Sequence, residues 1–197
     1  MERRKTVAVI GNGTIEKDGP AWQTAYETGK ALVDAGYRIQ SGGLGGVMQA
    51  AFKGAHASEH YREGDTIAIV PSFDRGSANI YADIVIPTGI DLMRNAIVAN
   101  ADAVIAVGGG AGTLCEMAYA WSMFRLILAY DSVEGWSSKL AGTRIDEKIR
   151  YKDIPDDQVY AVSSPKEAIR LLNEKIGLYE RVHHGIKATG LETDLLV

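Results

Sequence analysis

The chain has 197 residues, 46% of them hydrophobic and 23% charged, with a formal net charge of −4 at pH 7. This is the profile of an ordinary globular domain with room for a core, and it makes a broadly basic nucleic-acid-binding face a poor expectation. A single cysteine, Cys115, excludes an intrachain disulfide, and no apolar run approaches the roughly 20 residues of a membrane span. The charged start Met-Glu-Arg-Arg-Lys is followed by an apolar run of only about four residues, too short for the apolar region of a secretory leader. No membrane association and a reducing, cytoplasmic setting are expected.

In chain order, the first apolar run is Val7–Ile10, followed by Gly11-Asn12-Gly13-Thr14 and a helical pattern over Trp22–Ala35, with Leu32 and Val33 on its inner face. A weaker strand candidate, Arg38–Ser41, runs into Gly42-Gly43-Leu44-Gly45-Gly46 and a helix over Val47–Ser58. Strands are expected at Ile67–Val70 and Ile84–Ile86, then a helix over Leu92–Ala101. The run Val104–Val107 leads through Gly108-Gly109-Gly110-Ala111-Gly112 into a helix over Thr113–Met123, and Leu126–Ala129 is the next strand. Asp131–Asp157 is polar, holds Gly135, Trp136 and Gly142, and reads as a long excursion before the strand Val159–Val162. Ser164-Pro165-Lys166-Glu167 opens the last helix, Lys166–Lys175, with a capping hydroxyl, a proline and an early acid. Short apolar runs bounded by glycine or proline are expected to be buried on both faces. The alternation predicts a single Rossmann-like, doubly wound α/β domain, with a mainly parallel sheet of about seven strands flanked by helices. Residues 1–177 form that domain, and residues 178–197, which lack a clear period, form a tail or arm.

Three glycine clusters fall where a strand ends and a helix begins. In a parallel sheet those turns share one edge, so the clusters can converge. Glycine admits close backbone approach, and the following helix presents unpaired N–H groups, an arrangement suited to phosphate. The ligand-binding candidates are Gly11 and Gly13; Gly42, Gly43, Gly45 and Gly46; and Gly109, Gly110 and Gly112 with Thr113. One such loop would be explained by tight turning alone, but two loops with four glycines apiece favour a small phosphorylated ligand. The dinucleotide pattern G-x-G-x-x-G fails, with Glu16 and Thr113 at the sixth positions, and no acid ends the second strand. The triphosphate loop G-x-x-x-x-G-K-[ST] is absent as well.

The segments Ser41-Gly42-Gly43-Leu44-Gly45-Gly46-Val47-Met48, Leu92-Met93-Arg94-Asn95 and Gly108-Gly109-Gly110-Ala111-Gly112-Thr113-Leu114-Cys115-Glu116 resemble the Lonely Guy (LOG) superfamily. That group includes nucleoside 5′-monophosphate phosphoribohydrolases, often misnamed lysine decarboxylases, and molybdenum cofactor carrier proteins. The triple glycine is nearer the carrier-like branch. The hydrolase hallmark P-G-G-x-G-T-x-x-E, with an upstream Arg-Lys pair, is matched by Gly109, Gly110, Gly112, Thr113, Glu116 and Arg94. Gly108 replaces its proline and Asn95 its lysine.

In the hydrolase branch the resemblance implies Arg94 and Glu116 as the catalytic pair, with Asn95 among the ligand-binding positions. Glu116 would stabilise charge developing on the ribose or activate a water, and Arg94 would hold the phosphate or orient Glu116. Placed in the first turn of its helix, Glu116 is also explained by the helix dipole alone. If the Ile84–Ile86 and Val104–Val107 strands are neighbours, both side chains overhang one crevice. The resemblance leaves open a hydrolase, a non-catalytic carrier and a nucleotide sensor. It implies no required cofactor, the molybdenum cofactor as a carried ligand in the carrier branch, and a homodimer or higher homo-oligomer.

Other motifs weigh less. His56-Ala57-Ser58-Glu59-His60 matches H-x-x-E-H, but it sits at a helix end with no third ligand helix in sight, so no metal site is expected. Cys115 has no histidine partner nearby in the sequence. Trp22 and Tyr26, one helical turn apart, are read as packing residues, the loop Ser72–Tyr81 as lying at the ligand edge, and His183-His184 as uninformative.

Overall fold

Val7 and Val9 point to one side of the first strand and Ala8 and Ile10 to the other, and all four are at most 1% exposed. A strand with no solvent face must lie inside a sheet covered on both sides. The computed structural model, which describes residues 3–185, places this strand, β1 (Thr6–Gly11), at the middle of a seven-stranded sheet. The others are β2 (Arg38–Ser41), β3 (Thr66–Val70), β4 (Ile84–Pro87), β5 (Ala103–Val107), β6 (Leu126–Tyr130) and β7 (Val159–Val162). The order is β4-β3-β2-β1-β5-β6-β7, and every pair is parallel. The expected Rossmann-like architecture is therefore the observed one.

Helices α1 (Pro20–Asp34), α2 (Val47–His56) and α6 (Pro165–Lys175) cover one face, burying Trp22, Leu32, Phe52 and Leu172. Helices α3 (Asn95–Ala99) and α4 (Ala111–Ser122) cover the other with Val98, Met117 and Trp121. The α1–α2 crossing is unusually close. A Cβ at Gly29 would lie 1.9 Å from the Ala51 carbonyl oxygen, and one at Gly54 would lie 1.8 Å from that of Tyr26. Only glycine permits the two backbones to touch there.

Strand positions agree with the sequence pattern to within a residue or two, and Arg38–Ser41 coincides with β2. Three points differ. The expected helix over 92–101 is divided into a 3-10 turn, Asp91–Arg94, and the short α3. The polar excursion contains an additional helix, α5 (Trp136–Leu140). Lastly, β4 is not buried on both faces and is not a neighbour of β5: it is the edge strand, with Ile84 and Ile86 44% and 43% exposed. Ile67 and Ile69 pair in register with Ile84 and Ile86 and pack toward the α3–α4 side, but five-residue α3 does not extend over the edge.

The excursion is anchored from inside. Arg150 and Asp157, 2% and 3% exposed, form a two-pronged ion pair, with Nε donating to Oδ2 at 2.9 Å and Nη2 to Oδ1 at 2.5 Å. Arg150 Nη1 donates to the carbonyls of Trp121 and Arg125, and the guanidinium lies 3.6 Å from the Trp121 ring centroid. Tyr179, two residues past Gly177, is buried and donates to Asp157. Residues 186–197 of the expected tail lie outside the described residues. No described helix is long and apolar enough to cross a membrane.

Candidate functional site

Strands β1 to β4 are laid down toward one edge of the sheet and β5 to β7 toward the other, so the chain reverses between β1 and β5. Loops leaving the C-terminal ends of strands at such a reversal splay apart and open a crevice. The 11–14 and 108–112 loops flank this point, with the 42–46 loop beside them.

Most of the glycines serve this packing. A Cβ on Gly11 would lie 2.3 Å from the Val107 carbonyl oxygen, and one on Gly46, whose φ is +63°, would lie 2.2 Å from that of Asn12. A Cβ on Gly45 would come within 3.0 Å of the Gly13 carbonyl oxygen, and one on Gly43 within 2.4 Å of Ala68 Cβ. Asn12 ties the loops together: its carbonyl accepts from Val47 N at 3.0 Å and its side chain from Gly109 N at 2.6 Å. Asn79, in the 72–81 loop, donates to the carbonyls of Gly43 and Leu44. Asn79 was expected at the ligand edge with Asp74 and Arg75 rather than as a tie between loops, and for Asn12 the available signal was an asparagine between two glycines at a strand end. Gly109, at φ +105°, packs on the buried side chain of Thr113.

Gly110 and Gly112 are different. Both are exposed, and a Cβ at either would meet no protein atom within 4 Å. Gly110 is the N-cap of α4 and provides no side-chain cap, so the first N–H groups of the helix are left without a side-chain partner from the cap. Glycine is a favoured N-cap residue, which accounts for Gly110 in part, whereas at Gly112 neither a close neighbour nor a positive φ calls for glycine.

Behind this open end, Arg94 Nη1 lies 3.3 Å from Glu116 Oε1, and the two residues are 9% and 6% exposed. They meet although β4 and β5 are four places apart in the sheet, because the segment after β4 returns across the C-terminal edge to place α3 against α4. The Arg94 guanidinium lies where a side chain at residue 42 would be: a Cβ on Gly42 would fall 2.3 Å from Nη1. Asn95, next in the chain, is buried. Since α4 begins at Ala111, Glu116 lies in its second turn, beyond the first-turn position expected to benefit most from the dipole. Burial lowers the Arg94 pKa against the pull of Glu116, though a guanidinium remains charged. Burial pushes the Glu116 carboxyl up to about 7, with Arg94 opposing.

This shift has a thermodynamic consequence. Glu116 binds its proton more tightly in the folded state (about 7) than at the ordinary value of 4.5. Its contribution is therefore fully present below pH 4.5 and is lost as pH rises through about 7. Urea melts should show wild type losing about 3 kcal/mol across that window relative to Glu116→Gln. Parallel pH profiles for the two proteins would rule the buried acid out.

Two hollows of about 340 Å³ flank the 11–14 loop. One is lined by Gly13, Gly46, Trp22, Gln49, Lys17 and Lys53, the other by Asn12, Glu16 and residues 132–134. Trp22 thus packs in the core and also forms a wall, while Lys17, Gln49 and Lys53 had no signal beyond their positions after glycine loops. His56 bonds the Tyr81 carbonyl and stacks on Tyr61. No group of three or more metal-ligating side chains is assembled among the described residues. Cys115 is half-buried.

Residues 4–169 match the SLOG cluster4 family. An uncharacterized protein of Archaeoglobus fulgidus is 40% identical over 115 residues, 58% of this chain and 72% of that one. Among solved structures, the molybdenum cofactor binding protein of Rippkaea orientalis is 29% identical with a TM-score of 0.72, the match covering 88% of this chain and 98% of that one. The Moco carrier protein of Chlamydomonas reinhardtii is 25% identical with a TM-score of 0.67, over 87% and 97% of the two chains.

Proposed function

We propose that this chain, which belongs to the SLOG cluster4 family, binds a phosphorylated pterin- or nucleotide-like molecule at the glycine edge and holds it without cleaving it. Molybdenum cofactor is the leading cargo. The observation that carries this reading is the open N-terminus of α4, where Gly110 provides no side-chain cap and a Cβ at Gly110 or Gly112 would meet no protein atom within 4 Å. A terminal phosphate fits such a cradle by charge and by space. The two neighbours that bind or carry the cofactor support the choice of cargo. So does the state of Arg94 and Glu116, which are turned on each other and used to brace Gly42. Gly109, Thr113 and Asn95 would shape the cradle, and Gly11, Gly13 and the 42–46 loop its opposite wall.

A second reading, phosphoribohydrolase, is favoured by one feature: a carboxyl titrating at about 7 beside an arginine is suited to proton transfer at neutral pH. One experiment separates the two. The purified chain is mixed with molybdenum cofactor released from a molybdoenzyme and, separately, with a panel of nucleoside 5′-monophosphates. Pterin fluorescence is followed through gel filtration, and free base and ribose 5-phosphate are followed by chromatography. Co-elution of pterin without base release is expected. Base release that disappears in Glu116→Gln would replace the carrier reading with the hydrolase.

The same reading includes a homo-oligomer, and β4 is the surface that supports it. Ile84, Ile86, Leu92, Met93 and Ile97 are all exposed on or beside an unpaired parallel edge, a feature that stable monomers blunt with charge or cover. Light scattering should give a multiple of 21.2 kDa for the wild type and 21.2 kDa for Ile84→Lys/Ile86→Lys. A monomeric wild type would defeat this assignment.

A further inference from the structure

The strands begin at the edge opposite the glycine loops. Between Thr6 and Gly11 the sheet is about 17 Å long, so the two edges are separate places. At the starting edge lies a hollow of about 1030 Å³ whose lining includes Arg3, Arg4, Lys5, Arg38, Arg125 and Asp102. Five cations around one hollow are unexpected in a chain of net charge −4.

Two of them are matched by carboxylates. Arg4 pairs with Asp65 at 2.7 Å and also donates to the carbonyls of Gly36 and Tyr37, and Lys5 pairs with Glu180 at 3.3 Å. Arg125 gives its N–H groups to the neutral side chain of Asn100. Asp102 is turned to the backbone, accepting from Thr6 N at 2.7 Å. Arg38 is the exception: its Nε is buried and has no hydrogen-bond partner among the described residues. Its backbone is fixed, since Arg38 N donates to the Lys5 carbonyl as β2 begins. Folded proteins seldom leave a buried donor unused, least of all one on a charged group, and a turn of the Arg38 side chain toward the hollow would let an anion there complete it.

The surrounding charges indicate what kind of anion. Arg3, Arg38 and Arg125 have no carboxylate partner among the described residues. A guanidinium presents a planar fork suited to phosphate oxygens, and several such forks around one space suit adjacent charges on one molecule better than a lone phosphate. We propose that this hollow is a second ligand site, for a small molecule bearing a diphosphate or longer phosphate chain, and that Arg38 is its anchor.

The test is calorimetric titration of the full chain with inorganic pyrophosphate and with orthophosphate, in wild type and in Gly112→Asp, which closes the glycine edge to anions. One pyrophosphate per chain should bind in Gly112→Asp, with orthophosphate at least ten-fold weaker. Adding Arg38→Gln should weaken pyrophosphate at least ten-fold, with Arg38→Lys intermediate. Arg125→Gln should also weaken it, and serves if Arg38→Gln does not fold. The site is overturned if Gly112→Asp binds no pyrophosphate, or if binding there survives both arginine substitutions. Equal affinity for orthophosphate would make it an adventitious ion only.

Discussion

Gly112→Asp should weaken any phosphorylated ligand at the glycine edge more than 100-fold while leaving the chain at least as stable as wild type. Residue 112 is the second helical position of α4, its φ is not in the left-handed region, and a Cβ there meets nothing. Replacing a helical glycine by alanine restores roughly 0.5–1 kcal/mol, and by aspartate a smaller part of that. A carboxylate in the first turn of a helix adds about 0.3–1 kcal/mol through the dipole. The same carboxylate would stand about 5 Å from the phosphate, and at an effective dielectric of about 20 that repulsion is about 3 kcal/mol per charge. Binding and stability therefore move in opposite directions, a signature that a merely structural glycine does not give. Gly112→Ala should show the stability gain with a smaller loss of affinity. Calorimetry with the cargo, paired with urea melts, reads both quantities, and undiminished affinity in Gly112→Asp would dismiss α4 as the cradle.

The largest stability effect is expected at Arg150. Arg150→Ala leaves the Asp157 carboxyl buried without its guanidinium partner, strips the Trp121 and Arg125 carbonyls of their donor, and opens a space under the Trp121 ring. Breaking a buried pair from one side costs about 3–5 kcal/mol, against a total stability of roughly 5–15 kcal/mol for a typical domain. Urea denaturation should place the midpoint far below wild type. The double variant Arg150→Met/Asp157→Leu should recover much of the loss, since it removes both charges and keeps apolar volume. A loss under about 1 kcal/mol in Arg150→Ala would mean that this pair is not the anchor of residues 131–157.

These two residues also mark what could be read from the sequence. Local elements were legible where a periodic apolar pattern met a strong stop, as at β1 and Gly11 or at Ser164 and Pro165 before α6. Arg150 and Asp157 carried no such pattern, because a buried ion pair looks in sequence like two surface charges. Helix α5 was missed for a related reason: it is five residues long, and Ser137 is spent internally, its hydroxyl accepting from Gly108 N and donating to the Tyr130 carbonyl. Strand order was not written in any local run. Ile84 and Ile86 have the composition of buried residues yet lie at an edge, and only the pairing of β5 with β1 separates β4 from β5. The glycine clusters were expected to share one sheet edge, and they do. They could not say that Gly11, Gly43 and Gly46 are claimed by packing while Gly110 and Gly112 are not, since that depends on neighbours distant in the chain.

The contact between α1 and α2 at Gly29 and Gly54 bears on how a ligand arrives. Backbones packed this closely leave less room for one helix to slide on the other than a layer of side chains would. The 42–46 loop feeds α2 and the residues after Gly11 feed α1, so the spacing between these two walls is set before any ligand comes. On the proposed function, entry would then be a docking into a standing aperture rather than a closure around a guest. Discrimination among ligands of similar charge should accordingly be found in how long each remains rather than in how fast it enters.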